Sequence, residues 1–97
     1  MDKQLKAKWV KALRSGKYKQ VREHLYRDGG YCCIGVFLAC NYGKRQQEVY
    51  RVGYTAAESI IGGANCDNLV EMNDGRGKFI GNAQSFEQIA DYIEANL

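Results

Sequence analysis

Apolar residues recur with the period of an α-helix over the first fourteen positions of the chain, and basic residues fill the opposite side. The apolar positions that share one stripe are Leu5, Trp9, Ala12 and Leu13. Ser15-Gly16 follows and is typical of a helix C-terminus, because glycine readily adopts the left-handed conformation that ends many helices. The pattern therefore predicts an amphipathic helix over residues 2–14.

Residues 17–27 change to a period of two. Apolar and polar side chains alternate there, and tyrosine and β-branched residues are frequent, which favours a strand. Asp28-Gly29 is typical of a two-residue hairpin turn, since both positions favour positive φ. We therefore predict a β-hairpin in which residues 30–33 pair with residues 24–27.

The longest apolar stretch follows the hairpin directly. Residues 33–40 have helical spacing, which predicts a buried helix that ends at Gly43. Within residues 41–53, the β-branched and aromatic residues at positions 49–52 favour a short strand. The middle of the chain is therefore predicted to return briefly to extended structure.

Capping patterns predict the elements of the second half. A capping-box pattern at residues 55–58 begins a short helix that ends at Gly62-Gly63, and residues 67–72 form another helix. The glycine-rich residues 74–82 predict a loop. A second capping-box pattern at residues 85–88 begins a C-terminal amphipathic helix.

These elements predict an α+β fold. A β-hairpin or small antiparallel sheet would pack with the N-terminal helix, a buried cysteine-rich helix and the C-terminal helix. The chain has 97 residues, 45% apolar and 26% charged, which fits a single domain over residues 1–97. It has neither an apolar run long enough to cross a membrane nor a signal-peptide core, so we expect a cytoplasmic protein with reduced thiols and no membrane partner.

The net charge of +3 is distributed as a gradient along the chain. Residues 1–27 carry nine Lys or Arg against two acids, whereas residues 66–97 carry two against six. Such a gradient predicts either a bipolar surface or two chain ends that pack together.

The basic end of the chain predicts a binding surface. It would contact an acidic protein patch, or it would bind phosphates while the tyrosines stack on bases. The sequence contains no recognised nucleic-acid-binding motif, so a protein partner is the first interpretation and nucleic acid the alternative. The residues predicted to bind are Lys3, Lys8, Lys11, Arg14, Lys17, Lys19, Arg22, Tyr18 and Tyr26.

The glycine-rich loop predicts a second, smaller binding segment, because loops of this kind commonly carry binding residues. Its members are Asn73, Asp74, Arg76 and Lys78. The segment lacks both the spacing of a phosphate-binding loop and the alternating oxygen ligands of a calcium loop. We therefore predict no cofactor and no metal there.

The cysteines allow three interpretations. Adjacent Cys32 and Cys33 would point to opposite faces of a strand and lack the paired spacing of zinc ligands. The hairpin register places Cys33 opposite His24, the single histidine, which would suit a thiolate nucleophile, although no orienting residue is evident. The apolar neighbours favour the third interpretation, that the thiols belong to the core, so we predict no catalytic residue and no enzyme.

Four motifs make the chain similar to known proteins. They are W-V-K-A-L-R-S-G-K-Y-K-Q at 9–20, Y-C-C-I-G-V at 31–36, M-N-D at 72–74 and S-F-E-Q-I-A-D-Y-I at 85–93. With these motifs the chain resembles small proteins encoded in tailed-phage and prophage genomes, although the resemblance does not extend over residues 37–71. It implies an accessory protein that acts inside a bacterial cell, and it carries over no activity or catalytic residue.

The function expected from the sequence is that of a non-enzymatic phage-type accessory protein. It would bind a host protein or protein complex, for example as an anti-CRISPR-like inhibitor of host defence. The alternatives are a small basic nucleic-acid-binding module, a small-ligand sponge and a cysteine-dependent enzyme. The sequence indicates neither the target nor the oligomeric state.

Overall fold

The computed structural model describes residues 1–43 and 46–97, and there it contains five α-helices and a small three-stranded sheet. This architecture confirms the predicted α+β class. The elements are α1 Lys3–Arg14, β1 Lys19–Gln20, β2 Tyr26–Arg27, β3 Gly30–Tyr31, α2 Cys33–Tyr42, α3 Gln46–Ile61, α4 Gly63–Asp74, a 3₁₀ turn Gly77–Phe79, and α5 Phe86–Asn96.

Helix α1 confirms the first predicted element to within one residue. Asp2 caps its N-terminus, because the carboxylate accepts two backbone N–H groups of the first turn at 2.8 and 2.9 Å. Trp9, Val10 and Leu13 are the buried residues of its apolar face. The indole N–H of Trp9 donates to the carbonyl of Cys33 at 2.9 Å, which joins α1 to the start of α2.

The predicted hairpin is present, but the prediction of a long strand over residues 17–27 is wrong. Residues 28–29 form the turn with positive φ, and Tyr26 pairs with Tyr31 in the predicted antiparallel register. Of residues 17–27, only β1 and β2 are extended, and β1 pairs with β3 in parallel. Glu23 adopts a φ of 67°, which is incompatible with a continuous strand between them.

Helix α2 is the centre of the core. The seven consecutive residues Cys33–Ala39 are buried, as expected for a helix that is apolar on all sides. Gly35 allows the carbonyl of Leu25 to approach the helix directly, since a Cβ at this position would collide with that oxygen. Gly43 ends the helix as predicted.

The strand predicted at residues 49–52 is wrong, because these residues belong to α3. Val49 is fully buried, and α3 packs along α2. The preference of β-branched residues for strands is weak, and packing against a neighbouring helix overrides it here. The backbone breaks at Gly53, with φ 78° and ψ 169°, and is already helical at Tyr54, just before the predicted capping box. Residues 44–45, which belong to the same predicted stretch, lie outside the described residues.

The C-terminus of α4 and the N-terminus of α5 follow the predicted signals, whereas α4 begins at Gly63, four residues before its predicted start. Gly75, with φ 71°, ends α4 in the left-handed conformation. Ser85 caps α5, and its hydroxyl and the side chain of Gln88 form both bonds of a capping box. None of the helices in the described part of the chain is long and apolar enough to cross a membrane.

The basic and acidic ends of the chain pack together, which is one of the two arrangements that the charge gradient predicts. Arg14 of α1 contacts Asp91 at 2.7 Å and Glu94 at 3.1 Å, both on α5. The ammonium group of Lys6 donates to the carbonyl of Glu94 at 3.1 Å. Hydrogen bonds to Glu94 and then to Asp91 raise the pKa of Arg14 above its ordinary value.

Candidate functional site

An open cleft of about 640 Å³ lies between α4, the start of α2 and the loop that precedes β2. We call it the acidic cleft. Its volume is within the range of ligand-binding pockets. Its lining residues are Glu23, His24, Leu25, Cys32, Tyr54, Asp67, Val70, Glu71, Asp74, Arg76 and Gly77.

The lining consists of an apolar inner wall and a charged rim. Cys32 is buried, and Leu25, Tyr54 and Val70 are half-buried. Burial, followed by the charges of Cys66 and Asp67, raises the pKa of Tyr54, so its phenol remains a hydrogen-bond donor at neutral pH. The inner wall is therefore apolar, with one aromatic hydroxyl.

The rim is negatively charged. The cleft contains the carboxylates of Glu23, Asp67, Glu71 and Asp74 and the single guanidinium of Arg76. Arg76 contacts Asp74 at 3.2 Å. Among the described residues, no Lys or Arg lies within ion-pair distance of the other three carboxylates. Their charge is therefore uncompensated within this part of the chain.

Asp74 fixes the position of the rim, and its carboxylate is buried and hydrogen-bonded. Its side chain is only 2% exposed. One carboxylate oxygen accepts from the backbone N–H of Glu23 at 2.9 Å and from the Asn73 amide at 2.9 Å. The first of these bonds fixes Glu23 in its positive-φ conformation, which a non-glycine residue adopts only when its surroundings impose it.

Glu71 lies directly against the backbone of Gly77. A Cβ at Gly77 would overlap the Glu71 carboxylate, and the φ of 57° at Gly77 also favours glycine. The glycine therefore lets the loop after α4 close over Glu71, and this contact shapes one side of the cleft.

The predicted pairing of Cys33 with His24 is wrong. Cys33 begins α2 and is fully buried, and its sulfur lies 3.6 Å from the carbonyl of Leu69. His24 lies 2.9 Å from Arg27 instead. The hairpin ends before the register could place His24 beside Cys33, since Cys32 already caps the helix.

The thiol that does face the cleft is Cys32. It is 6% exposed, and its sulfur accepts the N–H of Gly35 at 3.4 Å. Burial raises its pKa to about 11, so the thiol is protonated at neutral pH. Cys33 and Cys66 are fully buried, so the core interpretation is confirmed for these two residues and for Cys32, whereas Cys40 is half-buried. In the described residues, no group of three or more His, Cys, Asp or Glu is placed to hold a metal ion.

The predicted basic face is divided by the fold. Lys3, Lys8 and Lys11 are exposed on α1, whereas Arg14 contacts α5. Lys17, Lys19 and Arg22 are exposed on and around β1. Tyr18 and Tyr26 both contact Tyr31 edge to face, with ring centroids 5.3 and 5.0 Å apart. Both rings are therefore part of an aromatic cluster, which limits how far they are available for stacking.

The predicted binding loop is only partly at the surface. Arg76 and Lys78 are exposed, and Arg76 and Asp74 line the cleft. Asn73, by contrast, belongs to α4 and is fully buried, so its placement in a surface loop is wrong.

Sequence reasoning missed most of the cleft. One available signal was the spacing of Asp67, Glu71 and Asp74 at i, i+4 and i+7, which places three acids on one side of a helix if the predicted helix is extended to residue 74. Glu23 and Tyr54 carry no such signal, because only the tertiary structure brings them to α4.

The fold and the cleft define a small α+β protein with an open, acid-lined cleft. The chain belongs to the family described as "Domain of unknown function (DUF8296)", whose model matches residues 1–59. The matched residues include one side of the cleft, with Glu23, Cys32 and Tyr54, and end before α4. No match to a curated protein or to a solved structure was found.

Proposed function

We propose that this protein is a non-catalytic binding protein and that its acidic cleft holds a basic side chain of a partner protein. The observation that carries the proposal is the set of three rim carboxylates, Glu23, Asp67 and Glu71, without a cationic partner among the described residues. A cation entering the cleft would compensate them, whereas an anion would be repelled.

The inner wall favours a lysine or arginine side chain over a bare ion. Both side chains carry an aliphatic stem that packs on apolar surface while the charged end stays near water. Leu25 and Val70 offer such a surface, and Tyr54 adds an aromatic side chain, a type that attracts cations. Arginine would also form paired hydrogen bonds with a rim carboxylate.

The partner that we propose is a host protein in the bacterial cytosol. The resemblance to small tailed-phage and prophage proteins supports this setting, and it favours an inhibitor of host defence as the biological role. A protonated, buried Cys32 is also better suited to packing than to nucleophilic catalysis.

A titration with short peptides tests the cleft. The ¹⁵N-labelled protein would be titrated with acetyl-Gly-Arg-Gly-amide and with the same peptide containing neutral citrulline, and followed by NMR. We expect saturable shifts at Leu25, Tyr54 and Glu71 with the arginine peptide and weaker binding of the citrulline peptide. The Asp67→Asn/Glu71→Gln variant should weaken arginine binding about tenfold, since a charge-assisted hydrogen bond is worth roughly 1.5–3 kcal/mol.

Glu87→Gln provides the matched control, because Glu87 is exposed on α5 and does not line the cleft. It should bind the arginine peptide as the wild type does. Equal binding of the citrulline peptide, or shifts that avoid the cleft, would refute the proposal.

A second candidate function rests on the exposed lysines of α1. Among the described residues, no carboxylate lies within ion-pair distance of Lys3, Lys8 or Lys11. These side chains therefore remain available to a polyanion, and nucleic acid is the alternative partner that they favour.

A further inference from the structure

Ile80 is the most exposed large apolar side chain that the structure describes, with 79% of its surface accessible. Isolated exposed apolar residues are common on proteins, so exposure alone identifies no interface. The position of Ile80 is more informative, because it follows the loop segment that lines the acidic cleft.

The loop around Ile80 has a fixed conformation. Phe79, next to it, packs against the core and donates its N–H to the carbonyl of Arg76 at 2.9 Å. The N–H of Asn82 donates to the carbonyl of Phe79 at 2.8 Å, and that of Gln84 donates to Met72 at 2.7 Å. Ile80 is therefore held out to solvent by an ordered turn, and little conformational entropy would be lost when a partner covers it.

Ile80 is also adjacent to the cleft. Its N–H donates to the carbonyl of Gly77 at 3.4 Å, and Gly77 and Arg76 both line the cleft. A ligand that fills only the cleft would leave Ile80 uncovered. A longer ligand that leaves the cleft over this rim would meet Ile80 within one short turn of the chain.

We infer that the occupant of the acidic cleft is a protein segment in which the basic side chain is accompanied by a nearby aliphatic side chain, which covers Ile80. This inference rests on the proposed function and specifies its partner. The charge of exposed Lys78, two residues before Ile80, disfavours a second basic residue on this side. The exposed side chain of Ile80 favours an uncharged apolar residue as the neighbour.

A peptide series tests this inference. Each acetylated and amidated peptide holds one arginine and one leucine in a Gly/Ser background, with the leucine two to five positions away on either side. A matched series has serine in place of leucine. Affinities would be measured by fluorescence polarisation against the wild type, Ile80→Ser and Asn82→Ser.

We expect one spacing at which leucine raises the affinity for the wild type about fivefold, as expected for partial burial of an aliphatic side chain. Ile80→Ser should abolish this gain and keep the affinity for the serine peptides. Asn82→Ser, an exposed change in the same loop, should retain the gain.

Four results would overturn the inference. If arginine peptides bind and no leucine position helps, or if the gain survives in Ile80→Ser, the contact with Ile80 is wrong and the proposed function stands. If spermidine binds as tightly as the best peptide, the occupant is a small polycation instead. If no arginine peptide binds, the proposed function fails and the inference fails with it.

Discussion

Asn73 shows how a single buried amide positions the cleft. Its oxygen accepts from the Gln20 side chain at 2.9 Å and from the backbone N–H of Cys33 at 3.2 Å. Its nitrogen donates to the carbonyl of Val21 and to Asp74, both at 2.9 Å. The residue thus joins α4 to β1 and to the start of α2. These hydrogen bonds give the asparagine of the M-N-D motif a structural role.

Replacing this amide should destabilise the fold. We expect Asn73→Ala to lower the free energy of unfolding by about 2–4 kcal/mol, because it leaves a buried backbone N–H and a carbonyl without partners at roughly 1–3 kcal/mol each. Urea denaturation followed by circular dichroism would measure the change.

Asn82→Ala is the matched control, since Asn82 is an exposed asparagine whose side chain forms no hydrogen bond with the described residues. It should change stability by less than about 0.5 kcal/mol. A similar loss in both variants would show that the Asn73 hydrogen bonds are not the cause.

At the scale of elements, α1 carries out two separate tasks. Its apolar face and Arg14 attach it to α2 and α5, whereas Lys3, Lys8 and Lys11 face solvent. The amphipathic pattern predicts that the apolar face packs against the rest of the protein. Binding of a partner by the exposed lysines remains a prediction.

Reversing Lys8, Lys11 and Lys19 to Glu together tests the basic face. If this face binds nucleic acid, the wild type should bind labelled single-stranded DNA with a log affinity that falls steeply with log salt, and the variant should lose that binding. Circular dichroism should show the variant folded, because all three residues are exposed.

Arg51→Glu, at an exposed position of α3, provides a control for charge reversal elsewhere. A flat salt dependence in the wild type would eliminate this candidate function.

For the whole molecule, the four cysteines link stability to alkaline pH. Burial raises the pKa of Cys32, Cys40 and Cys66 from 9.0 to about 11, and it raises that of fully buried Cys33 as well. In the unfolded chain these thiols ionise from about pH 9. The folded state then holds more protons than the unfolded state, so stability must fall as the pH rises.

Ionisation of these thiols should therefore lower the free energy of unfolding progressively as the pH rises towards 11. Cys32 would contribute up to about 1.4 kcal/mol per pH unit between pH 9 and 11. Urea denaturation at pH 8, 9, 10 and 10.5 would measure the decrease. Cys32→Ser, which keeps a capping side chain at the start of α2, should give a shallower decrease. Equal slopes in both proteins would show that the pKa of Cys32 is the same in the folded and the unfolded state.

The sequence alone determined most of the elements and their ends. The stripe of α1, the turn at residues 28–29, the apolar run of α2 and the capping box of α5 are local patterns, and each is confirmed. Local patterns succeed here because backbone conformation and capping depend on neighbouring residues. The charge gradient similarly indicated the contact between α1 and α5.

Only the tertiary structure decided the rest. Residues 49–52 are helical because they pack on α2, and Glu23 interrupts a predicted strand because Asp74, 51 positions away, holds its N–H. The cleft combines side chains from the loop before β2, from α3 and from α4, which no local pattern places together. Contacts between distant residues are set by how helices pack around α2, and for that reason the acidic cleft emerges only in the folded chain.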